Sequence, residues 1–279
     1  MRTLYVTDLD GTLLRNDVTI SEESVKILNR LIDGGVLVTY ATARSFHSAY
    51  SITKDIRFKL PVITRNGTTF ADQLGAKETE TAFFTKEAIN ELKSLLPVID
   101  RCGYTSVYVD GKMYKLYREG PKNKEFAEYI KYSNSVGDWR YRPTPSEDTQ
   151  FAGDVSYITL IGSREELLSY FNKVKDSDKW ETIFQKDTYL DEFWLEICPK
   201  DATKAKAVLK LKERFECDRI VVFGDSLNDL PMFEIADEAI GVANAMPEVL
   251  KAATRVIGSN EEDAVAKYIE LQETGSGKL

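Results

Sequence analysis

Predicted strands and helices alternate in both terminal thirds of the 279-residue chain, and this alternation restricts the fold more than any other feature. Apolar runs predict strands at residues 4–7, 36–41, 60–64, 219–223 and 239–242. Helical spacing of apolar residues predicts helices between them, one of them opened by Ser21 as an N-cap. Because parallel strands need crossover connections, we expect an α/β fold: a Rossmann-like doubly wound parallel sheet with helices on its faces.

The middle of the chain has a different pattern. It contains more aromatic residues, a hairpin signal at Asp110-Gly111-Lys112, and predicted strands that pair as neighbours. We interpret residues 81–197 as an inserted α+β domain, and residues 1–80 with 198–279 as the core domain. Within the insertion, the polar, proline-bearing stretch 137–153 is expected to be a loop. At roughly 150 residues per domain, the length also suggests two domains.

Composition excludes several classes of function. The chain has 37 Lys and Arg against 45 Asp and Glu, a net charge of −8, which argues against a nucleic-acid partner. No apolar stretch approaches the roughly 20 residues that cross a bilayer, so no membrane partner is expected. The cysteines Cys102, Cys198 and Cys217 are far apart and lack metal-binding spacing, which favours a reducing, cytoplasmic location. Oligomeric state stays open.

Acidic residues follow two of the predicted strands. Asp8 and Asp10 come directly after the first strand, and Asp225, Asn228 and Asp229 follow the strand at 219–223. Open α/β sheets bind ligands at the carboxyl ends of their strands, so these side chains can meet there. Convergent carboxylates repel one another unless a cation lies between them, which suggests Mg²⁺. Either pattern alone would equally fit a solvated turn or a helix cap, but two together favour a shared metal site.

Two further residues could complete a site for phosphate. Thr42 follows the second predicted strand and can supply a hydroxyl group and a backbone N–H. Lys204 begins a predicted helix and can supply a positive charge to a phosphoryl oxygen. Neither residue is informative alone, because a threonine at a strand end and a lysine on a helix are usually structural or solvated.

Together these segments resemble the phosphatases of the haloacid dehalogenase superfamily, and more closely its Cof-type branch with an α/β (type IIB) cap. Residues 8–13 match that family's nucleophile motif, 41–44 its second motif, 195–204 the run that leads to its lysine, and 224–229 its acidic motif. Asn66 and the segment 242–245 also resemble family positions that line the site. Ala43 and Ala205 depart from the family, which usually has glycine at these positions. These departures put in question which substrate is used, rather than which reaction is catalysed.

The resemblance implies a Mg²⁺-dependent phosphatase that hydrolyses small phosphomonoesters, sugar phosphates among them, through an aspartyl-phosphate intermediate. It implies that Asp8 is the nucleophile and that Asp10 is the general acid and base. The implied Mg²⁺ ligands are Asp8, the backbone carbonyl of Asp10, and Asp225, with Asp229 supporting them. The residues implied to hold the phosphoryl group are Thr42, Ala43, Asn66, Lys204 and Asn228.

Three rival functions remain at this point. A phosphomutase of the same capped family would need a bisphosphate activator and would suppress attack by water. A non-catalytic protein that binds phosphorylated metabolites would be favoured if Asp8 or Asp10 were replaced, but both are present. A glycosyltransferase with an Asp-x-Asp metal site is disfavoured by the second acidic segment at 224–229.

Overall fold

The alternation of strands and helices expected from the sequence is present in the computed structural model, which describes residues 1–96, 102–135, 137–187 and 192–275. The chain divides into a first unit, Met1–Thr81 with Thr203–Leu279, and a second unit, Ala82–Ala202. The amino-terminal part of the first unit contains β1 (Thr3–Thr7), α1 (Glu22–Asp33), β2 (Leu37–Tyr40), α2 (Phe46–Thr53), β3 (Val62–Thr64), β4 (Thr69–Asp72) and β5 (Lys77–Thr81).

The second unit and the carboxyl-terminal part of the first follow in chain order. The second unit contains α3 (Lys86–Leu95), β6 (Gly103–Val109), β7 (Lys112–Arg118), α4 (Lys124–Ser135), β8 (Tyr141–Thr144), α5 (Glu147–Gln150), β9 (Asp154–Gly162), α6 (Arg164–Val174), β10 (Trp180–Lys186) and β11 (Phe193–Pro199). The first unit then resumes with α7 (Lys204–Arg214), β12 (Arg219–Gly224), α8 (Leu230–Ile235), β13 (Glu238–Val242), α9 (Pro247–Ala252), β14 (Arg255–Ile257) and α10 (Ala264–Thr274).

A parallel sheet forms the centre of the first unit, which confirms the predicted fold class. Its strand order is β14-β13-β12-β1-β2, and each neighbouring pair is parallel. The chain proceeds from β1 to β2 on one side and later adds β12, β13 and β14 on the other. The order therefore reverses at β1, and ligands of such sheets bind beyond the carboxyl ends of the strands at this reversal.

Burial and capping explain why the elements of this unit form where they do. Leu4, Tyr5 and Val6 in β1 are all buried, as expected for a central strand that is covered on both faces. The predicted N-cap of α1 is confirmed, because the Ser21 side chain accepts a hydrogen bond from the Ser24 amide at 2.9 Å. The helix then buries Leu28 and its neighbours against the core.

The strand predicted at 60–64 was expected in the parallel sheet, but β3 belongs instead to a three-stranded antiparallel sheet that extends this unit. An isolated parallel bridge between Ala41 and Ile63 is its link to the end of β2. The order of the antiparallel sheet is β3-β4-β5, and a β-bulge interrupts the pairing of β4 with β5. The strand β5 reads Lys-Glu-Thr-Glu-Thr, so it has none of the alternating apolar residues by which strands are recognised.

The second unit is built on a six-stranded sheet of order β10-β11-β9-β6-β7-β8. Its neighbours are antiparallel except for β7 and β8, which are parallel. The predicted hairpin is confirmed: Asp110 and Gly111 join β6 to β7 with φ angles of 48° and 72°. The prediction of a loop over residues 137–153 is wrong, because β8 and α5 lie within it. Pro143 is accommodated because β8 is an edge strand of the sheet.

Two expectations from composition can be compared with the structure. Cys102, Cys198 and Cys217 are all buried, and none of them forms a disulfide with another cysteine of the described residues. Within the described ranges, no helix has both the length and the hydropathy that spanning a membrane requires.

Candidate active site

Asp8 lies one residue beyond β1 and continues the hydrogen-bond ladder of the central sheet. Its backbone N–H donates to the Phe223 carbonyl of β12 at 2.9 Å. The chain then makes an irregular helical turn, in which Gly11 has a φ of 77°. A Cβ atom at Gly11 would lie 2.4 Å from Asp225 Oδ2, so glycine is required both by the backbone conformation and by the approach of that carboxylate.

The loop after β12 brings a second pair of carboxylates to the same edge of the sheet. Asp229 is fully buried, and its Oδ2 accepts hydrogen bonds from the backbone N–H groups of Asp225 and Ser226 at 3.1 and 3.2 Å. Asp225 Oδ1 accepts a hydrogen bond from the Thr12 hydroxyl at 2.9 Å. The two acidic segments predicted to converge are therefore joined directly, through a threonine that sequence reasoning did not single out.

Lys204 connects Asp8 to the acidic loop. Its Nζ donates to Asp8 Oδ1 at 2.6 Å and to Asp229 Oδ1 at 2.8 Å, and all three side chains are almost inaccessible to solvent. Burial alone would lower the pKa of Lys204, but the two carboxylates raise it above its usual value, so the ammonium stays charged. Lys204 is thus the counter-charge of two buried carboxylates as well as a candidate ligand for phosphate.

The charges and donor atoms of this cluster fit a hard divalent cation. Carboxylate oxygens of Asp8, Asp225 and Asp229 lie within 4.8 Å of one another. When all three carboxylates are ionised, the one ammonium group of Lys204 leaves two negative charges uncompensated in a desolvated site. Burial, and then the neighbouring Asp229, raise the pKa of Asp225 to about 7, although the Thr12 hydrogen bond and Lys204 both act to lower it. Oxygen ligands in this arrangement suit Mg²⁺.

The Asp10 side chain lies outside this cluster. Both of its oxygens are bound by Arg44, whose Nε donates to Oδ2 at 2.7 Å and whose Nη2 donates to Oδ1 at 2.6 Å. Arg44 also donates to the Ser48 hydroxyl at 3.2 Å. The sequence placed Arg44 within a motif but assigned it no contact, because a bidentate ion pair between two loops leaves no local pattern.

The remaining candidate residues lie around the ends of β2 and β3. The Thr42 N–H donates to the Ile63 carbonyl at 3.0 Å, so it is used within the fold, and the Thr42 hydroxyl accepts from the Arg44 N–H at 3.1 Å. Among the described residues, no hydrogen bond involves the N–H of Ala43. Asn66 accepts a long, 3.5 Å hydrogen bond from Asn228, which links the turn after β3 to the acidic loop.

Asn244 is a further residue that the sequence indicated without a defined contact. Its Nδ2 donates to the Gly11 carbonyl at 2.7 Å, and its Oδ1 accepts from the Asn260 N–H at 2.9 Å. Asn260 in turn donates to the Leu14 carbonyl at 2.9 Å. The loop that carries Asp8 and Asp10 is therefore held at two of its carbonyl groups.

Comparison with known proteins places this geometry in context. The family model described as haloacid dehalogenase-like hydrolase matches residues 5–269. The chain is 27% identical over 281 residues to the 5-amino-6-(5-phospho-D-ribitylamino)uracil phosphatase YwtE of Bacillus subtilis, covering 94% of this chain and 95% of that protein. It is 26% identical over 280 residues to the HMP-PP phosphatase of Serratia proteamaculans, covering 97% and 95%.

Solved structures agree with these matches. The crystal structure of TM0651 from Thermotoga maritima is similar with a TM-score of 0.73 and 26% identity, covering 97% of each chain. The HAD subclass IIB sugar phosphatase BT4131 is similar with a TM-score of 0.71 over 99% of each chain. At 18% identity, the second likeness concerns the fold alone.

Proposed function

The chain belongs to the haloacid dehalogenase-like hydrolases, and from this premise we propose that it is a Mg²⁺-dependent phosphatase that hydrolyses small phosphomonoesters through an aspartyl-phosphate on Asp8. One observation carries the proposal: Lys204 bridges Asp8 and Asp229 at 2.6 and 2.8 Å, with Asp225 in the same carboxylate cluster. The phosphatases named among its relatives support the reaction class.

In the proposed first step, Asp8 attacks phosphorus and the bond from phosphorus to the ester oxygen breaks. A carboxylate suits this role because it forms a mixed anhydride that water can later hydrolyse, which divides one difficult step into two easier ones. Lys204 holds Asp8 Oδ1 and so leaves the other carboxylate oxygen to face the phosphoryl group.

Asp10 is the proposed general acid and then general base. It gives a proton to the departing ester oxygen, and it later takes a proton from the water that attacks the phosphorylated Asp8. To do so, an oxygen of Asp10 exchanges its hydrogen bond from Arg44 for one with the leaving group or the water.

The proposed Mg²⁺ ligands are Asp8, the Asp10 carbonyl and Asp225, with Asp229 behind them. When bound, the ion would offset the repulsion between the carboxylate nucleophile and the anionic phosphoryl group. Thr12 orients Asp225 for this role through its 2.9 Å hydrogen bond, and the backbone N–H groups at Asp225 and Ser226 orient Asp229.

Five residues are the proposed phosphoryl ligands: Lys204, Asn66, Asn228, the Thr42 hydroxyl and the Ala43 N–H. Lys204 contributes charge, and the others contribute hydrogen bonds to the equatorial phosphoryl oxygens that carry charge in the transition state. We assign substrate specificity to the inserted cap, residues 81–197. Three cysteines that form no disulfide support a reducing, cytoplasmic location.

A phosphate-release screen tests the proposal. The panel should contain sugar phosphates, the phosphorylated ribitylamino-uracil and HMP-PP, each with Mg²⁺ and with chelator, and with Asp8→Asn as the matched inactive control. We expect Mg²⁺-dependent release by the wild-type protein and none by Asp8→Asn. Transfer of phosphate between substrates without release would favour the phosphomutase, and full release by Asp8→Asn would refute the mechanism. Exchange of the cap with that of a relative should move substrate preference with it.

A further inference from the structure

The turn formed by Arg65, Asn66 and Gly67 has a strained backbone next to the proposed phosphoryl site. Its three successive φ angles are 48°, 53° and 102°, all in the left-handed region. Glycine adopts this region readily, but arginine and asparagine do so at a cost that the surrounding structure must offset. Such strained residues persist when their neighbours hold them in place, so the contacts of this turn indicate what it is built to position.

The turn contacts two of the proposed phosphoryl-binding segments, the one that contains Thr42 and the one that contains Lys204. The Arg65 N–H donates to the Arg44 carbonyl at 2.9 Å, and the Asn66 N–H donates to the Thr42 carbonyl at 2.9 Å. A Cβ atom at Gly67 would lie 2.2 Å from the Thr203 carbonyl oxygen, so the turn packs directly against the residue before Lys204. A shift of this turn would therefore move Asn66 relative to both Thr42 and Lys204.

The Arg65 side chain runs from the turn into the protein interior. It is only 2% exposed, and its Nη2 lies 3.5 Å from Glu78 Oε1 on β5. A buried guanidinium needs a nearby anion, because removing one partner of a buried pair leaves an uncompensated charge. Arg65 and Glu78 thus join the strained turn to the antiparallel sheet.

The β-bulge in β5 explains how Glu78 reaches Arg65. Phe70 pairs with Glu80 and Ala71 pairs with Glu78, so Thr79 is an extra residue in the strand. The extra residue reverses the alternation of side chains, and it sends the two glutamates to opposite faces of the sheet. Glu80 instead pairs at the surface with Arg214, with its Oε1 2.8 Å from Arg214 Nη2.

We propose that the Arg65–Glu78 ion pair is a positioning device for the phosphoryl site, which holds the turn at residues 65–67 so that Asn66 faces the phosphoryl group beside Lys204. This inference rests on the proposed function, and it assigns roles to two residues outside the motifs of the sequence. Arg65 and Glu78 act through Asn66 and are positioning residues.

The test is equilibrium binding of inorganic phosphate in the presence of Mg²⁺, measured by titration calorimetry, which needs no turnover. Glu78→Gln should weaken phosphate binding about tenfold and raise KM for a phosphomonoester by a similar factor, with a smaller effect on kcat, because misplaced binding groups cost affinity first. Glu80→Gln is the matched control: the same residue type in the same strand, paired with an arginine, and expected to stay within about twofold of wild type.

Substitutions at Arg65 give a second measurement. Arg65→Lys should retain more phosphate affinity than Arg65→Met, since the lysine keeps a positive charge near Glu78. If Arg65→Met fails to fold, Glu78→Gln alone decides.

Two outcomes overturn the inference. A Glu78→Gln protein that binds phosphate as tightly as wild type would overturn it, because the ion pair would then support only the fold. This holds even if the variant melts at a lower temperature. A wild-type protein that neither binds phosphate nor hydrolyses esters would overturn the proposed function, and this inference with it.

Discussion

Replacing Lys204 with methionine tests the electrostatic reasoning about the site most directly. Methionine has a similar length and shape, so the substitution removes the charge while largely filling the space. Asp8 and Asp229 would remain buried without the ammonium group that now lies 2.6 and 2.8 Å from their oxygens. The expected result is a large loss of stability in addition to the loss of activity.

The magnitude follows from the burial of all three groups. Removing one partner of a buried ion pair costs about 3–5 kcal/mol, because the remaining charge is left uncompensated. Since one lysine serves two carboxylates here, we expect a loss near the upper end, about 5 kcal/mol in chelator. Domains are typically stable by about 5–15 kcal/mol, so this loss would remove a large share of the free energy of unfolding.

Urea denaturation in chelator, followed by circular dichroism, measures this loss. Lys210→Met is the matched control, because Lys210 lies on the exposed face of the same helix and should change the free energy of unfolding by less than about 0.5 kcal/mol. The double variant Lys204→Met with Asp229→Asn removes one of the two carboxylate charges, and it should be about 1–3 kcal/mol more stable than Lys204→Met.

Two results would refute the reasoning. If Lys204→Met lost less than about 1 kcal/mol, Lys204 would not be compensating buried charge in the folded state. If the double variant were no more stable than Lys204→Met, the uncompensated carboxylate charges would not be the source of the lost stability.

Three further expectations concern the acidic residues. Asp8→Asn should abolish turnover, whereas Asp10→Asn should still form some phospho-enzyme from esters with good leaving groups, as seen by single-turnover trapping. Mg²⁺ should stabilise the wild-type fold by about 2.7 kcal/mol at 100 times Kd, measured as a rise in melting temperature that chelator reverses and Asp225→Ala loses. Burial would raise the pKa of Asp263, but the hydroxyl groups of Ser21 and Ser24 at the start of α1, together with nearby basic residues, lower it. The ionised carboxylate therefore stabilises the fold above about pH 4, and Asp263→Asn should cost about 1–2 kcal/mol near pH 7 and progressively less as the pH falls through the lowered pKa.

The strand-end carboxylates could be located from the sequence because the parallel pairing of two strands determines where the residues after them lie. Once β1 and β12 are recognised as neighbouring parallel strands, the residues that follow them must meet at one edge of the sheet. Asp8 and Asp225 follow those strands directly, so a local pattern is sufficient to bring them together. The contact of Lys204 with Asp8 was not available in this way, because the position of α7 depends on packing rather than on its own residues.

Other parts of the structure depend on pairings that a single sequence does not encode. The bulge at Thr79 sets the direction of Glu78, and the strand that contains them has no apolar alternation to reveal it. The edge strand β8 contains Pro143, which favours a loop in any local interpretation. The bidentate pair of Arg44 with Asp10 joins two loops whose relative position follows only from the completed sheet.

The balance of positive and negative charges in the site relates its residues to one another. Arg44 neutralises Asp10, and Lys204 neutralises one of the three carboxylates in the cluster, which leaves two negative charges when all three are ionised. A phosphoryl dianion would enter a site of its own sign, and such repulsion is strong where water is excluded. On the proposed function, a bound Mg²⁺ would supply two positive charges, which would offset the two negative charges of the cluster. The ammonium group of Lys204 meanwhile holds Asp8 to the acidic loop, because it donates to both Asp8 and Asp229.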